Sequence, residues 1–148
     1  MQIRSAETAG FCFGVERAVS LAEQTAKSCA SAVTLGPIIH NRHVVERFEA
    51  MGLREIARAE DAQPGQTVVV RAHGIPVSEQ QTLAARGAKL VDATCPFVKK
   101  IHVIARQAEE AGRHLLIIGT PTHPEVTAIA SYSSDCLLYT SDAADALI

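Results

Sequence analysis

Short apolar runs alternate with stretches of helical period along this chain, and glycine or proline marks most of the switches. Thr67-Val68-Val69-Val70 is the clearest strand, β-branched throughout and preceded by the turn residues Pro64-Gly65. Ala32 to Leu35, Lys89 to Ala93 and Leu115 to Ile118 read as further strands, and Met1 to Ile3 as a weaker one. Between them Val15, Ala18, Val19, Ala22 and Ala26 recur at helical spacing, as do Val44, Val45, Phe48 and Met51, with Gly52 placed to end that second helix. Pro76 suits the first turn of a helix that ends near Gly87. Pro96 opens another, whose apolar face is expected to carry Phe97, Ile101, Ala105 and Ala108 and which stops at Gly112. Strand followed by helix, repeated, predicts an α/β fold built of βαβ units on a mainly parallel sheet.

In such sheets ligands gather beyond the carboxyl ends of the strands. Cys12, His40, His73, Cys95 and His123 each follow a predicted strand and precede a predicted helix. Five chemically capable residues at one sheet edge are the strongest functional signal in the chain.

Cys12 and Cys95 share a strand-to-helix setting, where amide dipoles favour the thiolate. Thiolates there suit a soft metal or an iron–sulfur cluster, and the competing reading is a small buried hydrophobe. His40, His73 and His123 can donate to a phosphate or a hydroxyl, or bind metal. Glu125 follows His123-Pro124, where a carboxyl can serve as a proton donor or simply as a first-turn helix acid. Gly10 and Gly14 permit close backbone approach around Cys12. Cys29 reads as packing or idle surface, and Cys136 is assigned no role. His43, His102 and His114 are taken as structural or exposed.

Several function classes drop out. Sixteen acids against fourteen bases leave a net charge of −2, with no basic excess for a nucleic-acid backbone. Apolar runs are too short to span a bilayer, and Arg4 and Glu7 interrupt any signal-peptide core, so a cytoplasmic location is expected. The four cysteines form no C-x-x-C pair, which excludes zinc ribbons and thioredoxin-like motifs. No P-loop or G-x-G-x-x-G fingerprint is present, which counts against a nucleotide enzyme.

Five segments, in order, resemble one family. They are Gly10-Phe11-Cys12-Phe13-Gly14-Val15, Gly36-Pro37-Ile38-Ile39-His40-Asn41, Arg71-Ala72-His73-Gly74, Asp92-Ala93-Thr94-Cys95-Pro96 and His123-Pro124-Glu125-Val126. Together they are similar to 4-hydroxy-3-methylbut-2-enyl diphosphate reductase, over about residues 1 to 132. The resemblance implies a three-domain α/β architecture around a 4Fe–4S cluster held by three cysteines. It implies reductive removal of the substrate's hydroxyl as water, giving isopentenyl and dimethylallyl diphosphate in the non-mevalonate route to isoprenoids. Electrons would arrive from ferredoxin or flavodoxin. By position, Cys12 and Cys95 match two cluster cysteines, His40, His73 and His123 match the histidines that hold the diphosphate, and Glu125 matches the acid that takes part in protonation.

The match is incomplete. The family's third cluster cysteine, and a serine and an asparagine of its diphosphate site, lie beyond the matched stretch, and neither Cys29 nor Cys136 replaces that cysteine. Ala128 and Ser131 stand where the family usually has glycine. No Lys or Arg occurs after Arg113, and Ser133 to Ile148 offers no further strand-helix unit. The stretch from Cys136 resembles a translated adapter sequence. The expected organisation is a first α/β domain over 1–95, an incomplete start of a second over 96–134, and a non-native tail over 135–148, in a truncated and inactive chain. Two other readings stay open: a zinc-binding α/β module using Cys12, Cys95 and one or two histidines, and a non-enzymatic domain that binds a small anion.

Overall fold

The computed structural model of the chain describes residues 3–4, 6–7 and 9–140. It alternates helix and strand as expected: α1 (Phe13–Ser28), β1 (Val33–Leu35), α2 (Arg42–Ala50), β2 (Arg54–Ile56), a 3-10 turn (Ala59–Asp61), β3 (Thr67–Val70), α3 (Val77–Ala85), β4 (Lys89–Asp92), α4 (Pro96–Glu110), β5 (Leu115–Ile118), α5 (Pro124–Ala130) and β6 (Cys136–Tyr139). The first four strands form one sheet in the order β2-β1-β3-β4, parallel throughout. The fold is α/β with a parallel sheet.

The order has a physical consequence. From β1 the chain crosses outward to β2, then returns to the other side of β1 to lay down β3 and move outward to β4. With right-handed crossovers, the two directions of travel place α2 and α3 on opposite faces. Side-chain alternation along the central strands serves both faces. Val69 packs with Ala18 and Ala22 of α1 and with Val44 and Phe48 of α2. Val68 and Val70 point the other way, toward Ala59, Ala62, Ile75 and Leu83. This two-sided burial is why Thr67-Val68-Val69-Val70 reads as a continuous apolar run rather than an alternating one.

Several expectations change. The strand β2 was not anticipated, because Arg54-Glu55-Ile56 is a polar edge strand whose pairing comes from β1. The expected strand at Met1 to Ile3 falls mostly outside the described residues, and Ile3 itself is in no strand. Cys12 therefore precedes a helix, but no strand among the described residues leads to it. The apolar face assigned to α4 is corrected as well. Val98, His102 and Ala105 are its buried residues, while Phe97 and Ile101 are 71% and 41% exposed. Both faces of α4 carry apolar residues at helical spacing, and packing selected the one that includes a histidine. Finally, β6 supplies a strand where none was expected. It pairs in parallel with β5 in a separate two-stranded sheet, completing a β5-α5-β6 unit.

Candidate functional site

The site is built on hydrogen bonds that carry the sheet's ladder past the strand ends. The Ala72 N–H donates to the Ile38 carbonyl at 3.2 Å, and the Cys95 N–H donates to the Ala72 carbonyl at 2.9 Å. The loops after β1, β3 and β4 are thus registered on one another like strands, although none of these residues is in one. Each loop carries an expected site residue: His40, His73 and Cys95.

His40 and His73 lie where the strand order reverses, between β1 and β3, which is the crevice an open α/β sheet uses for ligands. Their ring centroids are 5.0 Å apart. His123, at the start of α5, places its ring 5.6 Å from His73, edge to face. Three histidines from three strand-helix loops thus form one cluster. A cleft of about 280 Å³ opens beside it, lined by His40, His73, Asn41, Ile39, Ala72, Phe11 and Val15. Phe11 and Val15 flank Cys12, so the cleft runs from the histidines to the cysteine loop.

Local capping explains the histidine positions. Asn41 caps α2, its Oδ1 accepting from the Val44 N–H at 3.2 Å, which starts the helix directly after His40. His123 caps α5 itself: the Glu125 N–H donates to its Nδ1 at 3.2 Å. An Nδ1 that accepts puts the ring proton of the neutral form on Nε2, leaving that nitrogen a donor. Burial pushes the His73 pKa below the usual histidine value, and the neighbouring His40, His123 and Arg71 push it the same way. Its Nδ1 is buried with no hydrogen-bond partner. A half-buried neutral imidazole next to two more imidazoles is suited to donate a ring N–H hydrogen bond to a bound anion.

Cys12 and Cys95 sit at the starts of α1 and α4, each as the residue before the first helical turn. The two helix starts meet. A Cβ at Gly14, in the first turn of α1, would lie 2.4 Å from the Cys95 Sγ. Only hydrogen at that position lets α1 and the thiol approach so closely. Among the described residues no three His, Cys, Asp or Glu side chains gather tightly enough to hold a metal ion. Glu125 stands in the first turn of α5, two residues from His123 and partly buried.

Cys29 and Cys136 take no part. The Cys29 Sγ donates to Thr67 Oγ1 at 3.3 Å and packs beside the α1–α2 core. Cys136 opens β6.

Two arginines without an assigned role in the sequence reading support the site. Arg17 reaches from α1 to the junction before Cys95, donating to the Thr94 carbonyl at 3.1 Å and the Asp92 carbonyl at 3.4 Å. Arg71 lies beside the His73 turn. His102 is 5% exposed and stacks on Tyr132 with ring centroids 4.9 Å apart. It lines a second cavity of about 230 Å³ with Asp92, Lys99, Arg106 and Tyr132, which contains none of the expected site residues. The Arg17 and His102 contacts join residues far apart in sequence, beyond the reach of any short motif, whereas the Arg71 contact lies within the Arg71-Ala72-His73-Gly74 segment itself.

Comparison with known proteins gives a consistent picture. A family model described as "LytB protein" matches residues 3–147. The 4-hydroxy-3-methylbut-2-enyl diphosphate reductase of Aquifex aeolicus is 43% identical over 132 residues, covering 88% of this chain and 45% of that protein. The enzyme of the same name from Oleidesulfovibrio alaskensis is 47% identical over 137 residues, covering 91% and 48%. A solved structure of (E)-4-hydroxy-3-methyl-but-2-enyl diphosphate reductase, the terminal enzyme of the non-mevalonate pathway, superposes with a TM-score of 0.79 at 39% identity, over 95% of this chain and 51% of that one. The corresponding reductase from Plasmodium falciparum gives 0.83 at 28% identity, over 92% and 43%. The chain spans about half the length of the curated relatives it matches.

Proposed function

The chain belongs to the LytB protein family, and on that premise we propose that it supplies the anion-binding half of a 4-hydroxy-3-methylbut-2-enyl diphosphate reductase site. The observation that carries the reading is the convergence of His40, His73 and His123, at 5.0 and 5.6 Å between neighbouring rings, beside an open cleft. Ring N–H groups of the three imidazoles donate hydrogen bonds to diphosphate oxygens.

Cys12 and Cys95 are the proposed ligands this chain gives to a 4Fe–4S cluster. Their chemistry fits: two thiols at helix starts, with Gly14 clearing the space against Cys95. Their number does not complete a cluster, and the remaining ligand is assigned to the part of the relatives that the match does not cover. When bound, such a cluster supplies electrons and a Lewis-acidic iron. The chain's own residues do the rest of what we assign to it. The histidines hold the diphosphate, the apolar side chains of Phe11, Val15 and Ile39 exclude water from the cleft, and Glu125 carries a proton to the reacting carbon. The net change replaces a hydroxyl by hydrogen, consuming two electrons and two protons and releasing water. Ferredoxin or flavodoxin is the proposed donor and the cytoplasm the proposed location. Among the described residues no helix is long and apolar enough to cross a membrane.

Calorimetric titration of the chain with inorganic pyrophosphate tests the reading. His73→Ala is expected to weaken binding by about tenfold or more. Equal affinity of parent and variant would remove the diphosphate assignment.

A further inference from the structure

Arg71 belongs to neither the cysteines nor the histidine cluster, yet it touches both turns that present His40 and His73. Residues Arg71 to Gly74 form a tight turn, closed on the main chain by the Gly74 N–H donating to the Arg71 carbonyl at 3.0 Å. The Arg71 side chain closes it a second time: Nε–H donates to the Gly74 carbonyl at 3.2 Å. His73 sits inside this double lock. The far end of the same guanidinium reaches the loop after β1. Its Nη1 lies 2.7 Å from where a Gly36 Cβ would stand, and Gly36 holds a φ of +69°. Gly36 is the first residue after β1 on the way to His40. One planar, permanently charged group therefore spans the reversal point of the sheet.

We propose that Arg71 is a positioning residue of the anion site, its guanidinium locking the His73 turn and bracing the Gly36 turn so that His40 and His73 keep their 5.0 Å approach. The proposal rests on the diphosphate reading of the histidine cluster and adds a residue to it. Rigid supports of this kind decide whether donors are already in place when the ligand arrives. A lysine at the same position keeps the charge but has no planar fork to serve two turns at once. The absence of a side chain at Gly36 is then part of the device, because any Cβ would displace Nη1.

The experiment uses the whole chain and the variants Arg71→Met, Arg71→Lys and Gly36→Ala, each first checked for a folded amide spectrum. Two quantities are read: affinity for inorganic pyrophosphate, and the nuclear Overhauser contact between the ring protons of His40 and His73. Arg71→Met should weaken pyrophosphate by about tenfold and lose the ring contact. Arg71→Lys should recover only part of each, and Gly36→Ala should behave like a milder Arg71→Met. Full recovery of both by Arg71→Lys overturns positioning in favour of bare charge. An intact ring contact in Arg71→Met overturns it outright. If His73→Ala leaves pyrophosphate binding unchanged, the diphosphate reading fails separately, and the ring contact, which needs no ligand, still decides on Arg71.

Discussion

Gly14 and Cys95 are in contact across 81 positions of sequence: the space for a Cβ at Gly14 is filled by the Cys95 thiol, 2.4 Å from where that carbon would be. The contact joins the first turn of α1 to the residue that precedes α4, and so brings together the two helix starts that bear Cys12 and Cys95. Arg17 fastens the same junction from α1 through the Thr94 and Asp92 carbonyls.

Gly14→Ala sets two effects against each other. Alanine in a helix is favoured over glycine by up to about 1 kcal/mol. Here the new methyl also forces Sγ to rotate away and crowds the Cys95 Cβ at 3.0 Å. The expected result is a nearly unchanged unfolding midpoint with a several-fold change in the alkylation rate of Cys95, read by peptide mass spectrometry. An unaltered rate would show that the contact does not orient the thiol.

Gly74→Ala should be far more costly. Gly74 holds a φ of +77°, and its Cβ would lie 2.5 Å from Cε1 of the buried His102 ring. Left-handed backbone and overpacking together amount to about 2–4 kcal/mol. Urea denaturation measures this, and a loss of only about 1–2 kcal/mol, the backbone cost alone, would mean that the His102 ring gives way without strain.

Asn41→Ala removes the cap of α2 and should cost about 1 kcal/mol of stability. Because the helix begins directly after His40, pyrophosphate affinity should fall as well, and Asn41→Asp should restore the stability. Stability lost without loss of affinity would separate the cap from the site.

Acid should destabilise the fold in a window set by two histidines. Burial lowers the pKa of both His73 and His102 from the ordinary value of 6.5. The unfolded chain therefore binds protons first as pH falls below that value, and stability drops there while being fully present above it. Urea midpoints should decline as pH falls through and below about 6.5, and His102→Gln should flatten the decline. Asp92 acts in a lower window. Burial opposes its ionisation, but hydrogen bonds from Lys99 and Thr94 prevail and hold its carboxyl below the usual range, so its contribution is lost only as pH falls through that depressed value. A flat midpoint across the histidine window would contradict the buried neutral imidazoles.

The sequence by itself determined the alternation of strand and helix and the placing of His40, His73, Cys95 and His123 at strand-to-helix junctions. These are local properties: β-branched runs, helical spacing and punctuation by glycine and proline act within a few residues. Tertiary structure decided the rest. Edge strand β2 exists because β1 offers a partner, and nothing in Arg54-Glu55-Ile56 requires it. The face of α4 that is buried holds His102 rather than Phe97, because helix orientation is set by what it packs against and both faces were apolar enough to qualify. That His40 lies against His73, that Arg17 reaches the junction before Cys95 and that Arg71 reaches the Gly36 turn follows from the β2-β1-β3-β4 strand order. Such contacts join residues that no period or spacing along the chain relates, so only the folded sheet could bring them together.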